Sequence, residues 1–359
     1  MESKPITTIY YDKNSCKNHN PGFGSLECGE RIGMNLRTYE KNGYKIVGPV
    51  NRKIYKKVCC LVHSTNPVIK YIFKQPFHRN FIKKIIGNNP SEMQMRNCQG
   101  CTFSITTEIC PMCQTKNIYK KFFKFIYAID SSIPDSDTTY ITHTSYSAIL
   151  SSISLVCQMV ESKNNGFAIV RPPGHHASSQ KSQGFCLVNN IAICAEYALY
   201  LGIKKIFIFD FDAHHGNGTQ NIFYKRKNVF FCSIHTADGY PKTGHENEIG
   251  EEDGYGFNLN VIVPKGVGTD EYINAFNNKV FPIIKWYNPD IILVSAGFDG
   301  LASDPMQLMK LTPECYQQIT KLLASIGKQI YMVLEGGYDI ENIPICIDYC
   351  IKELEQSNY

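Results

Sequence analysis

The chain has 359 residues, 43% of them hydrophobic and 19% charged, with a net charge of +5. That composition is far from disorder and holds enough apolar surface for one large core. A small positive surplus spread over the whole length is not a nucleic-acid-binding signature, which needs basic side chains concentrated on one face.

The N-terminus, Met1 to Tyr10, lacks the apolar stretch and small-residue cleavage site of a signal peptide. Apolar runs such as Ile291 to Ala296 are strand-sized and too short to cross a bilayer. Both features lead to the expectation of a soluble, intracellular chain, cytoplasmic or nuclear, with no membrane partner. The 15 cysteines are odd in number and include the adjacent pair Cys59-Cys60, which argues against a disulfide framework. Most are expected to be buried as small hydrophobes.

Residues 76–125 are basic and aromatic and read as an insertion in a loop of a single domain spanning 1–359. Cys98, Cys101, Cys110 and Cys113 within it form CxxC, eight residues, CxxC, the spacing of a structural zinc knuckle; four unrelated reduced thiols are the alternative. Lys83, Lys84, Arg96, Lys116, Lys120, Lys121 and Lys124 can face an acidic partner or nucleic acid, but a simply solvated surface is the favoured reading.

From Thr144 onward, helical and strand patterns alternate. The spacing predicts a helix over 145–162, a strand over Gly166 to Val170 and a helix over Asn190 to Leu201. Strands follow at Lys205 to Phe211, Val229 to Ile234 and Phe257 to Val263, then a helix at Asp270 to Trp286. Ile291 to Ser295 reads as a buried strand, Pro313 to Ser325 as a helix, Ile330 to Leu334 as a strand and Ile340 to Leu354 as the last helix. Short apolar strands separated by helices predict an α/β domain, a mostly parallel sheet covered on both faces. In such sheets ligands bind beyond the carboxyl ends of the strands, where polar segments fall: Arg171 to Ala177, Asp210 to Gly218, Ala296 to Gly300 and Glu335 to Asp339.

Asp212 and His214 stand two apart at a strand end and can point the same way. With Asp299, at the end of another strand, they make three ligands for a divalent metal, leaving the open position that a catalytic zinc needs. A surface Asp-x-His pair is the plainer alternative. His175-His176 can be ligands, a proton-transfer pair or a solvated loop; if other groups hold the metal, a neutral imidazole suits a general base. Asp210 and Asn217 are placed to hold the histidines' other ring nitrogens. Tyr338, after the Gly336-Gly337 pair, can donate to a developing oxyanion, or can be an ordinary packed tyrosine.

The segments RPPGHHA (Arg171 to Ala177), GFCLVNN (Gly184 to Asn190), DFDAHHGNGTQ (Asp210 to Gln220), SAGFD (Ser295 to Asp299) and LEGGY (Leu334 to Tyr338) resemble the zinc-dependent histone deacetylases, most closely the class II branch. The resemblance runs in order over about 126–354, with fainter echoes in His19 to Arg31 and Leu61 to Ser64. It implies the arginase/deacetylase fold and a hydrolase acting on acetyl-lysine of histone or non-histone proteins. It implies zinc on Asp212, His214 and Asp299, with His176 as general base and then acid. His175 would assist from beside Asp210, Asn217 would support His176, and Tyr338 would polarise the acetyl carbonyl. Phe185 and Tyr240 would wall a narrow tunnel floored in part by Gly184. Potassium is implied near Asp210, Asp212, His214, Ser233 and Ile234, and a second ion near the carbonyls of Phe223, Arg226, Val229 and Phe257.

The two-metal relatives of this fold need a carboxylate where this chain has Gly216, so one metal is expected. An acetylpolyamine amidohydrolase is the enzyme alternative, disfavoured because Met306 stands where an acidic gatekeeper would be. An inactive acetyl-lysine binder is disfavoured because every catalytic position is filled. Extra residues near Arg31 depart from the family pattern, and the insertion is expected to shape substrate preference at the mouth.

Overall fold

Eight short strands line up in one sheet, the central ones buried on both faces and the edge strand Lys45–Val47 partly exposed. They are β1 (Thr8–Tyr11), β2 (Lys45–Val47), β3 (Gly166–Ile169), β4 (Ile206–Asp210), β5 (Val229–Thr236), β6 (Asn258–Val263), β7 (Ile291–Ala296) and β8 (Gln329–Leu334). Their spatial order is β2-β1-β3-β8-β7-β4-β5-β6, and every pairing is parallel. This computed structural model describes residues 7–12, 19, 26–33, 39–40, 42, 44–50, 52–63, 66, 139, 145–236 and 239–356. The insertion at 76–125, with Cys98, Cys101, Cys110, Cys113 and the basic residues named above, lies outside the described residues.

Side chains alternate across a strand, and here both faces are covered. Phe207, Phe209, Ile292, Val294, Met332 and Leu334 pack on one side, against Thr269–Tyr287, α7 (Pro313–Ala324) and α8 (Ile343–Gln356). Ile206, Ile208, Leu293, Tyr331 and Val333 pack on the other, against α1 (Lys53–Val62), α2 (Ser145–Glu161) and α3 (Asn190–Tyr200). The α/β reading of the sequence is therefore correct, and the elements fall within a few residues of their expected positions.

The differences have local causes. The helix expected over Asp270 to Trp286 is α5 (Thr269–Ala275), a π turn over Phe276–Val280 and α6 (Phe281–Tyr287). Pro282 has no N–H to give to the preceding turn, and a wider turn absorbs the missing bond. α8 starts at Ile343 rather than Ile340 because Asp339 Oδ1 takes the amides of Glu341 and Asn342, both at 3.1 Å, in a capping turn. β1, β2 and α1 were not expected. TIYY and KIV are too short to show a period.

Register brings the polar strand ends to one level. Asp210 pairs with Ser295 on β7 and with Ser233 on β5, while Ala296 pairs with Leu334 on β8. β3, β8, β7 and β4 are consecutive neighbours at the centre of the sheet. The loops leaving them carry the four polar segments and meet over one rim.

Candidate active site

Asp212 and His214 lie on the loop after β4, which continues into α4 (Asn217–Phe223), and Asp299 lies on the loop after β7. One ligand atom from each falls within 4.8 Å of the others. His214 Nδ1 stands 3.1 Å from Asp212 Oδ1 and 2.7 Å from Asp299 Oδ2. The remaining carboxylate oxygens are anchored by backbone: Gly336 N donates to Asp212 Oδ2 and Ala213 N to Asp299 Oδ1, each at 2.8 Å. Such supporting bonds orient ligands toward a shared point. A Cβ on Gly297 or Gly336 would come within 2.0 or 2.5 Å of Asp212 Oδ2, so the carboxylate reaches its place only because both neighbours lack side chains.

All three groups are buried, and two carboxylates this close repel. Burial and the neighbouring Asp212 raise Asp299. Burial opposes a charge on His214, but Asp299 and Asp212 outweigh it and lift the imidazole to about 10. A buried cluster of two carboxylates and an imidazole answers to a divalent cation, and this nitrogen and oxygen set suits zinc.

The adjacent histidines differ in partner and in charge. His175 Nδ1 lies 3.0 Å from Asp210 Oδ2, and its Nε2 lies 3.8 Å from Asp212 Oδ1. Burial works against its proton, yet Asp212 and Asp210 prevail and raise it to about 10. His176 Nδ1 lies 2.8 Å from Asn217 Oδ1, a neutral partner. Burial, then the neighbouring His175 and His214, hold it well below its usual range. One imidazole is thus cationic and the other neutral, with ring centres 4.0 Å apart.

Tyr338 follows β8 on the opposite side. Its amide donates to Asp304 Oδ2 at 2.7 Å, and the guanidinium of Arg31 sits 4.9 Å from its ring centre. Burial raises its phenol well above the ordinary value, so the hydroxyl keeps its proton. Phe185 faces Tyr338 at 5.9 Å, and Tyr240 meets His176 edge-on at 4.9 Å. Between them Gly184 has φ +55, and a Cβ there would stand 2.4 Å from His176 Cδ2 and 2.8 Å from Tyr240 Cε1. Met306 lies half-buried on the turn held by Asp304, its amide donating to Asp304 Oδ1 at 2.9 Å. Ser233, opposite Asp210, turns its hydroxyl to His235 Nδ1 at 2.9 Å. The Phe223 and Phe257 carbonyls accept from Arg226 N and Phe231 N.

Several buried groups around the site were not singled out from sequence. Glu27 bridges Arg171, with Nη2 to Oε2 at 2.8 Å, and Arg31 at 3.3 Å. Arg31 in turn donates to the carbonyls of Glu335 and Gly337. His63 ties α1 to the rim: its Nδ1 lies 2.9 Å from Ser178 O, and its Nε2 accepts from Asn189 N at 2.9 Å. Burial lowers it to about 4, so it is neutral, as that pair of bonds requires. Of these, Arg171 follows a strand and could have been noticed there, whereas Glu27 and Arg31 lie at a short helix and His63 at the end of α1, with partners distant in sequence.

Comparison with known proteins bears on this arrangement. The family model for the histone deacetylase domain matches residues 43–354. Histone deacetylase 15 of Arabidopsis thaliana is 43% identical over 199 residues, covering 54% of this chain and 36% of that protein. Histone deacetylase 6 of Caenorhabditis elegans is 42% identical over 218 residues, 58% of this chain and 22% of the relative. Histone deacetylase 9 of Homo sapiens is 38% identical over 236 residues, 61% of this chain and 23% of the relative. The chain thus spans well under half the length of each of these three relatives. The crystal structure of the HDA15 HD domain superposes with a TM-score of 0.73 at 28% identity, covering 99% of this chain and 89% of that one.

Proposed function

The chain belongs to the histone deacetylase domain family, and from that premise we propose that it is a zinc-dependent hydrolase removing the acetyl group from lysine side chains of proteins or peptides. The observation that carries the reading is the convergence of Asp212, His214 and Asp299 on one point, with the neutral His176 ring 6.0 Å from that of His214. Zinc on these ligands supplies a Lewis acid for the acyl carbonyl and brings the pKa of water down to about 7.

The side chains then divide the proton chemistry. Because Asn217 Oδ1 accepts from His176 Nδ1, the lone pair sits on Nε2, free to take the proton of the attacking water. The same nitrogen later returns that proton to the leaving lysine amine. With no metal bound, Asp212 and Asp210 outweigh burial and favour a cationic His175, a charge that would offset the negative ligand cluster. Tyr338, protonated, donates to the carbonyl oxygen as it becomes an oxyanion. Phe185 and Tyr240 admit a slender alkyl stem, and Gly184 leaves room for it. A second divalent metal is disfavoured, because Gly216 supplies no carboxylate where the two-metal relatives of the fold need one. Potassium near Asp210, Ser233 and Ile234 remains an implication of the family.

The half-buried Met306 favours acetyl-lysine over an acetylated polyamine, since it offers no charge to a cation at the mouth. Among the described residues no helix is long and apolar enough to cross a membrane. Turnover of acetyl-lysine peptides and of acetylated polyamines, measured beside metal content, tests the proposal. Peptide hydrolysis with a zinc equivalent that is lost in Asp212→Asn is expected; hydrolysis of polyamines alone, or activity independent of that zinc, overturns it. Serine at Cys98, Cys101, Cys110 and Cys113 should remove a second equivalent if the sequence motif is a knuckle.

A further inference from the structure

Glu335 follows the last residue of β8 and is fully buried. Its N–H continues the sheet ladder to Ala296 O at 3.0 Å, and its carbonyl accepts from Arg31 Nη2 at 2.6 Å. Its side chain therefore starts from a fixed point of the central sheet. One carboxylate oxygen, Oε2, accepts from two successive backbone amides, Gly174 N at 2.6 Å and His175 N at 3.0 Å. The other, Oε1, accepts from Ser295 Oγ at 3.4 Å. Successive N–H groups turned to one side make a cradle for an anion, and this cradle is the turn that carries both histidines.

The carbonyls of the same turn are held by neutral donors. Asn190 Nδ2 donates to Pro172 O and Gln183 Nε2 to His176 O, both at 3.0 Å, while Thr219 N donates to His175 O at 3.1 Å. A Cβ on Gly174 would stand 2.4 Å from Asn190 N, so the turn has no room to retreat toward α3. Without Glu335, two buried amides would lose their acceptor, and the turn would have to shift or admit water. His176 is two residues from Gly174, so such a shift moves the proton-transfer ring relative to Asp212, His214 and Asp299.

We propose that Glu335 is a positioning residue for the reaction: by holding the amides of Gly174 and His175 it sets where His176 stands over the metal ligands. The proposal rests on the deacetylase reading above. Because both amides meet the same oxygen, a glutamine with its carbonyl oxygen in that place keeps both bonds, and its NH2 can donate to Ser295 Oγ. Glu335→Gln should therefore rescue what Glu335→Ala loses.

Two measurements on the whole 359-residue chain, metal-loaded, test this. Hydrogen exchange at the amides of Gly174 and His175 should be slow in the wild type and in E335Q, and fast in E335A. On an acetyl-lysine peptide, kcat of E335A should fall roughly 10–100-fold with KM nearly unchanged, and E335Q should stay within about threefold of the wild type. Metal content should be equal in all three. A folded E335A with wild-type kcat, or an E335Q as impaired as E335A, overturns the proposal. Exchange needs no turnover: protection that depends on Glu335 in a wild type without hydrolysis would overturn the deacetylase reading while supporting the positioning contact.

Discussion

Gly184→Ala puts a methyl group against His176, the histidine to which the proposed function gives the proton transfer. The added Cβ would stand 2.4 Å from His176 Cδ2, where ordinary contact begins at 3.4 Å, so a ring must retreat by about 1 Å. Tyr240 closes the other side at 2.8 Å. The left-handed backbone at φ +55 costs an alanine about 1–2 kcal/mol by itself. His176 is tethered through Nδ1 to Asn217 at 2.8 Å, and a retreat of that size stretches the bond past useful length. A misplacement of about 1 Å at a reacting group costs roughly 10²-fold. The expected result is a kcat/KM on an acetyl-lysine peptide lowered by about two orders of magnitude. Thermal stability should drop by only a few degrees, and zinc content should not change because the ligands are untouched. Steady-state kinetics, a melting curve and metal analysis on one preparation read all three. A folded, zinc-replete G184A with kcat/KM within about threefold of the wild type would refute the packing of Gly184 on His176 as a determinant of rate.

Tyr338→Phe should keep fold and zinc yet lose about 2.7–4 kcal/mol of barrier lowering, so turnover should fall roughly 10²–10³-fold; an unchanged rate would remove the phenol from the reaction. In the metal-free chain burial opposes a proton on His214, but Asp299 and Asp212 prevail and lift it to about 10. At neutral pH an entering zinc ion must then displace that proton, so affinity should rise with pH and binding should release it. Titration calorimetry in buffers of different ionisation heat measures the release, and affinity that is flat with pH would contradict it. Glu27→Ala leaves the fully buried guanidiniums of Arg31 and Arg171 without their carboxylate. It should cost about 3–5 kcal/mol in urea unfolding, and a loss under about 1 kcal/mol would show that water enters to solvate them.

The candidate ligand trio was legible in the sequence because each member stands at the end of an apolar run, and residue type with strand-end placement is local information. The α/β class was legible for the same reason: strands buried on both faces must be apolar throughout. Partnership was not legible in the local pattern and came from the family resemblance alone. Asp210 was a reasonable partner for His175, and Asn217 for His176, but the two pairs are separated by 35 and 41 residues. Only the packed structure brings them to 3.0 and 2.8 Å and so makes one imidazole cationic and the other neutral. Glu335 could be read as part of a motif, yet its contacts lie 161 and 160 residues away, on the turn after a strand that is its neighbour in space only. Arg31 reaches across 306 residues to Gly337. The order of strands decides these meetings: β3 lies beside β8 rather than β4, and no local period encodes that order. The sequence by itself pointed to Asp212, His214 and Asp299 as candidate metal ligands, and the structure brings those three together. The tertiary structure set a carboxylate against His175 and a neutral carboxamide against His176, because those partners meet only when distant segments pack.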